Sequence, residues 1–254
     1  VTHGIRGRYG AYNLHEGGGL DGRPPFASRY AVKGQFMTDP FMTDNIHAGQ
    51  GVLQYGALET ARAVLILLHG RGASAESVLQ IAPLLGSDIA ALAPQAAGYA
   101  WYPHRFLRPI DTNEPYLSHA LALVEALIVH VGTLGIGPER VVLGGFSQGA
   151  CLALESAARF ATRFGGVLGF SGALIGPAGT VRTYPASLAG TPVFLGCSEH
   201  DEHIPRAYVE ATAHELTAHG AAVTLRLYPG SAHTIHDESI EAARAIVESI
   251  PARA

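Results

Sequence analysis

From about residue 50 onward the chain alternates short, wholly apolar runs with longer amphipathic stretches. Residues 63–68 read A-V-L-I-L-L and stop at His69-Gly70. Apolar positions in an unbroken row predict a strand buried on both faces of a mostly parallel sheet. Residues 51–55 precede it as a first strand, and 89–92 (ending before Pro94), 140–144, 166–170, 193–197 and 223–228 follow. Between them the apolar period lengthens to that of a helix over 74–85, 112–134, 147–160, 205–219 and 237–250. The punctuation agrees. Ser74 and Asn113 stand where caps belong, Pro205 suits a first turn, and Gly135 suits the end of the longest helix. Strand and helix in repeated alternation predict an α/β fold with a doubly wound, mostly parallel sheet flanked by helices. Residues 1–45 carry Gly17-Gly18-Gly19 and Pro24-Pro25 and no sustained apolar period. They read as an N-terminal extension or arm, leaving 46–254 as one domain without internal repeats.

Composition narrows the function classes. The 254 residues are 48% hydrophobic and 15% charged, enough apolar content for one large core. A net charge of -4 supplies no basic field to attract nucleic acid. No stretch approaches the ~20 apolar residues of a spanning helix. No charged-then-apolar leader opens the chain, so the expected location is cytoplasmic. Cys151 and Cys197 are too few for a disulfide scaffold and read as small buried hydrophobes.

The chemistry concentrates in four loops. Gly145-Phe146-Ser147-Gln148-Gly149 is a G-x-S-x-G motif lying directly after an apolar strand and before a helix. So tight a turn crowds the residues two positions either side of the serine; glycine there relieves the crowding and lifts the hydroxyl above the sheet. Elsewhere the same letters would make a helix-capping serine, but strand–turn–helix placement points to a nucleophile. A serine hydroxyl needs a base. Among the histidines after Ser147, His214 and His219 fall on a helical pattern and His236 at the start of the last helix. His233 follows a strand end in a loop of small residues, where this architecture gathers its site. After the 193–197 strand, Glu199, Asp201 and Glu202 each have the chemistry to orient an imidazole. That loop also holds His200 and His203, but without an H-E-x-x-H or cysteine cluster no metal is expected, and no cofactor is implied.

His69-Gly70-Arg71-Gly72 follows the buried strand, where a backbone N–H can face a developing oxyanion. Arg71 is the assigned donor, with Gly72 the neighbouring alternative, and Gln148 supplies the second N–H. Trp101 and Phe106, in the only tryptophan-bearing segment, are candidate walls of a substrate pocket, although loop packing would use them equally well. If Arg71 and Arg105 both face the site mouth, they would favour esters bearing an anionic group; surface ion pairing is the more ordinary role for exposed arginines.

Taken in order, these motifs resemble the phospholipase/carboxylesterase family of α/β-hydrolases, which includes acyl-protein thioesterases. The resemblance covers about residues 50–250. It rests on Leu68-His69-Gly70-Arg71-Gly72, on the G-F-S-Q-G turn, on Asp201 to Ile204-Pro205 and on Tyr228-Pro229-Gly230-Ser231-Ala232-His233. It implies an α/β-hydrolase fold without a large cap domain, with Ser147, Asp201 and His233 as catalytic triad; the choice of Asp201 over its acidic neighbours comes from the spacing to Pro205 in the family pattern. The implied activity is hydrolysis of short- to medium-chain carboxylic esters through an acyl-enzyme, on small-molecule substrates. The alternatives on the same triad are an acyl-protein thioesterase or lysophospholipase, or an acyltransferase; a non-catalytic binding module is a further class. Arg71 stands where acyl-protein thioesterases usually carry an apolar residue, and the 101–106 segment is more similar to bacterial small-molecule carboxylesterases.

Overall fold

The computed structural model describes residues 31–32, 44–160, 162–185 and 187–252. Its strands are β1 (Ala31–Val32), β2 (Val52–Tyr55), β3 (Ala63–Leu68), β4 (Ile89–Pro94), β5 (Val141–Phe146), β6 (Gly166–Phe170), β7 (Pro192–Ser198) and β8 (Ala222–Tyr228). They form one sheet in the order β1-β2-β4-β3-β5-β6-β7-β8. β2 runs antiparallel to both neighbours, and every other pairing is parallel. The chain leaves β3 on one side to make β4 and returns to its other side to make β5. The strand order therefore reverses beside β3, and a crevice opens at the carboxyl ends of β3 and β5, where such sheets place their sites.

Helices α1 (Ala75–Leu79), α2 (Ala82–Leu85) and α6 (Asp237–Ser249) cover one face, and α3 (Tyr116–Thr133), α4 (Gln148–Phe160) and α5 (Arg206–Ala218) the other. The period of two in β3 sorts its side chains between them. Val64, Ile66 and Leu68 join the α3–α5 core, while Ala63, Leu65 and Leu67 join the α1/α2/α6 core. All six are fully buried, which is why the strand tolerates no polar position. β8, at the sheet edge, instead alternates exposed and partly buried residues.

Three local expectations need correcting. The helix expected over 74–85 is two short helices. Pro83 has no N–H, and its ring would meet the Leu79 carbonyl, so the first helix stops at Leu79. Ser74 does cap that helix, exchanging bonds with Ser77. The long helix starts at Tyr116 rather than 112, because Asn113 sits in a preceding 3-10 turn. Its Oδ1 accepts the His104 N–H at 2.8 Å, while Glu114 takes the Ser118 N–H of the first turn of α3. At the other end Gly135 follows the last turn with φ +75°, the left-handed geometry that ends a helix. The strand expected to stop before Pro94 includes it, since Pro94 closes the register opposite Val52.

The 18 residues of α3 do have the length and apolar composition of a membrane span, contrary to the sequence reading. Leu117, Ala120, Leu123, Val124, Leu127 and Val131, at helical spacing, are packed into the core of the α/β domain. The extension expected over residues 1–45 lies outside the described residues apart from β1 and the last positions.

Candidate active site

The turn between β5 and α4 is set by two glycines. A Cβ on Gly145 would lie 2.6 Å from the Leu68 carbonyl oxygen, and one on Gly149 would run into the same group and the His69 carbonyl. Without them the turn could not pass so close to β3. Ser147 itself holds φ +54°, a strained value for a non-glycine residue. It is held there by its N–H bond to Phe170 O at 2.9 Å and by Cys151 N–H, which donates to Ser147 O at 3.0 Å as α4 begins.

The Ser147 hydroxyl meets His233 Nε2 at 2.8 Å, and His233 Nδ1 meets Asp201 Oδ2 at 2.7 Å. Asp201 is 4% exposed. Its other oxygen accepts the N–H groups of His203 (2.8 Å) and Ile204 (3.0 Å). Burial works against the charge, but the bond and the Coulombic attraction of His233, with the two backbone donors, outweigh it and hold this carboxyl below its usual range. Glu199 and Glu202, chemically eligible, take no part: Glu199 faces Arg206 and Glu202 is exposed. With Asp201 accepting at Nδ1, Nε2 is the nitrogen free to take the serine proton.

The loop bearing His233 is fastened on both sides of the imidazole. Ser198 Oγ donates to Ala232 O at 2.6 Å, and Ser171 Oγ donates to Thr234 O at 3.1 Å. Ser198 has thereby spent its proton, so it accepts from His236 Nε2 at 2.9 Å, and His236 sits at the N-cap of α6. The Phe146 and His203 rings lie 4.8 and 4.7 Å from that of His233.

Two backbone donors remain beside the serine. The Gly72 N–H is committed to Tyr99 O at 2.7 Å, so of the two donors considered in that loop only the Arg71 N–H is left without a backbone acceptor. Among the described residues neither Arg71 N nor Gln148 N has a backbone partner. The Gln148 side chain does separate work: its oxygen accepts Trp101 N–H at 2.9 Å and its amide donates to Tyr102 O at 2.8 Å.

The phospholipase/carboxylesterase family model matches residues 56–250, most of the chain. The chain belongs to that family. Acyl-protein thioesterase 1 of Eremothecium gossypii is 30% identical over 216 residues, covering 75% of this chain and 89% of that protein. A phospholipase/carboxylesterase crystal structure from Dyadobacter fermentans is 34% identical with TM-score 0.73, over 78% of this chain and 95% of that one. The Bacillus cereus carboxylesterase, 20% identical over 79% of this chain and 94% of its own, has TM-score 0.65 and bears on the fold alone. The protein is thus a serine hydrolase of the α/β-hydrolase fold, and no large cap covers the sheet among the described residues.

In this hydrolase a cavity of about 170 Å³ opens onto Ser147 and His233. Its walls include Arg71, Tyr102, Arg105, Phe106, His203 and Ile204. Phe106 is therefore where a pocket wall was expected. Trp101 is not. It is fully buried, its indole N–H donates to His69 O at 2.8 Å, and its ring packs on those of His69 and His47. An indole that can bond a carbonyl beneath the loop is better satisfied there than in an open pocket. The hydrolase also brings to the site residues to which the sequence reading gave no place there: Tyr102, His203 and Ile204 as walls, Cys151 one turn beyond the serine, and Ser171 and Ser198 as fasteners. Only Cys151 carried a signal, its i+4 spacing from Ser147 on the same helix face. Both cysteines are free and buried, and burial pushes each thiol up to about 12.

Proposed function

We propose that this protein is a carboxylesterase acting on short- to medium-chain carboxylic esters through an acyl-enzyme, with Ser147 as nucleophile, His233 as base and Asp201 as its orienting acid. The observation that carries this reading is the unbroken bond chain from Ser147 Oγ through His233 to Asp201. Ser147 Oγ attacks the ester carbonyl as His233 Nε2 takes its proton. The carbonyl oxygen becomes an oxyanion facing the N–H groups of Arg71 and Gln148. Collapse breaks the bond to the alcohol, which leaves with the proton from His233. Water then repeats the sequence on the acyl-serine: His233 takes its proton, and the carboxylic acid departs as Ser147 regains one. Asp201 stays ionised throughout, as its lowered pKa allows.

The small cavity, about 170 Å³, supports a short acyl group. The expected outcome for Ser147→Ala is a folded protein with at least about a thousandfold less turnover of a small nitrophenyl ester. Near-wild-type turnover by that variant would remove the assignment. A second reading, thioester hydrolysis on the same residues, is favoured by the likeness to the acyl-protein thioesterase of Eremothecium gossypii. Matched ester and thioester series of increasing acyl length separate the two: a rate peak at long acyl thioesters would favour the second.

A further inference from the structure

We propose that the cavity beside Ser147 recognises a carboxylate carried by the substrate a few bonds from the scissile carbonyl, so that the preferred substrates are small anionic esters. This deepens the esterase reading and rests on it.

Arg71 and Arg105 both line the cavity. Neither is used as a surface ion pair. Arg71 Nη1 donates to Pro103 O at 2.7 Å and Nη2 to His104 O at 2.6 Å. Arg105 Nη2 donates to the carbonyls of His203 at 3.0 Å and Glu202 at 3.2 Å. Main-chain carbonyls fix a guanidinium in place without cancelling its charge. Among the described residues no carboxylate lies within ion-pairing distance of either arginine, and none lines the cavity. A guanidinium has five N–H donors, and each of these two makes two bonds to carbonyls, so at least three donors remain on each. Two oriented, uncompensated cations at one small cavity fit a planar anion better than they fit an alkyl chain.

A second observation points the same way. Tyr102 also lines the cavity and is 1% exposed, and its hydroxyl meets no nitrogen or oxygen partner, only the weakly bonding thiol of Cys151. A buried hydroxyl left with only a thiol is poorly satisfied, and native interiors seldom keep one except where something else completes it. A substrate oxygen would do so. The remaining walls, Phe106, Ile204 and Cys151, are apolar and suit a short carbon spacer between the ester and its charged end. The cavity thus offers an apolar stretch next to the nucleophile together with cationic and hydroxyl donors.

The carboxylate can sit on the acyl side or on the alcohol side, and two matched pairs distinguish them. One pair is monomethyl and dimethyl glutarate; the other is acetylglycolate and its methyl ester. The expected result for the wild-type protein is kcat/KM at least about tenfold higher for the anionic member of one pair, the scale of one charge-assisted hydrogen bond. That ratio should shrink in 0.5 M NaCl, because the arginine ends are solvent-exposed. It should fall towards one in Arg71→Gln or Arg105→Gln, and hold better in Arg105→Lys, which keeps the charge but loses the planar guanidinium. The ratio is the readout, so a general loss from loosened loops does not imitate it, and the salt series on wild type stands if a variant fails to fold. Equal rates or a neutral preference in both pairs, with Ser147 still labelled by a fluorophosphonate probe, overturns the anion site and leaves the esterase intact. No labelling and no turnover of any of the four esters overturns the esterase reading itself, and this proposal with it.

Discussion

Gln148 shows how one residue of the serine turn serves two structures at once. Its backbone N–H opens the first turn of α4 and is the proposed oxyanion donor, while its side chain grips Trp101 and Tyr102 by their backbones. Gln148→Ala keeps the first and abolishes the second. The loop that carries Tyr102, Arg105 and Phe106 then loses two buried bonds, at a cost of about 1–3 kcal/mol if the freed groups stay buried. Esterase kcat/KM is expected to fall roughly tenfold to a hundredfold, since displacements near 1 Å cost that much in positioned catalysis. Wild-type kinetics in a folded Gln148→Ala protein would show that the loop is held by its other contacts. The residues joined at the site were legible where a local pattern marks them: Ser147 by its glycines, and His233 by its place after a strand. The acid was legible only as one of three, because composition cannot tell which carboxylate of a loop turns inward. His203 and Tyr102 had no such mark. They reach the cavity through loop paths set by distant bonds, among them Asn113 to His104 and Arg105 to the acid loop.

At the level of elements, the sequence reading was right about strands and helices wherever the pattern was long and unbroken, as in β3, α4 and α6. It failed where a proline or a polar residue had a competing use. Pro83 divides one expected helix into two, and Asn113 bonds a loop instead of capping α3. Trp101 illustrates the same limit, since periodicity identifies an aromatic residue but not the side of the loop it enters. The serine turn, where α4 starts close against β3, separates two substitutions that look alike. Gly149→Ala would drive a methyl group into the Leu68 and His69 carbonyls, so β3 and α4 must part, at about 3 kcal/mol or more. Gly132→Ala, near the end of α3, meets nothing within 4 Å and should stabilise by about 0.5–1 kcal/mol through helix propensity. Urea midpoints moving in opposite directions are the expected outcome. A Gly149→Ala protein as stable as wild type would mean that the turn is looser than these distances say.

For the molecule as a whole, the largest histidine contribution to acid sensitivity should originate beneath the site, at His69. His69 is fully buried, and burial lowers its pKa to about 4, against a smaller raising effect of its bond to Gly70 O. Its Nε2 accepts the Ala96 N–H at 3.1 Å, so the neutral ring carries its proton on Nδ1. His47 is likewise buried and lowered, with Nδ1 accepting the Ala97 N–H and Nε2 facing Trp101 O. Both rings support the loops that bear Arg71 and Trp101. A histidine with a depressed folded pKa binds its proton more readily when unfolded, so its contribution is complete above the unfolded value of 6.5 and is lost as pH falls towards the folded value. For His69 that window runs from 6.5 to about 4 and is worth at most about 3 kcal/mol. Asp201 behaves in the opposite way and later. Its pKa is lowered from 3.8, so its contribution persists through the whole histidine window and is lost only below it. The unfolding free energy should therefore decline between pH 6.5 and 4 and then decline again below that. His69→Gln removes the first titration while leaving an oxygen able to accept the Ala96 N–H. Its stability at neutral pH will be lower, but the slope is the readout: between pH 6.5 and 4 the variant should lose clearly less in urea midpoint than wild type does. Parallel curves for the two proteins across that interval would exclude His69 as the source of the acid sensitivity and shift attention to His47, His130 and His236, whose depressed pKa values act with the same sign.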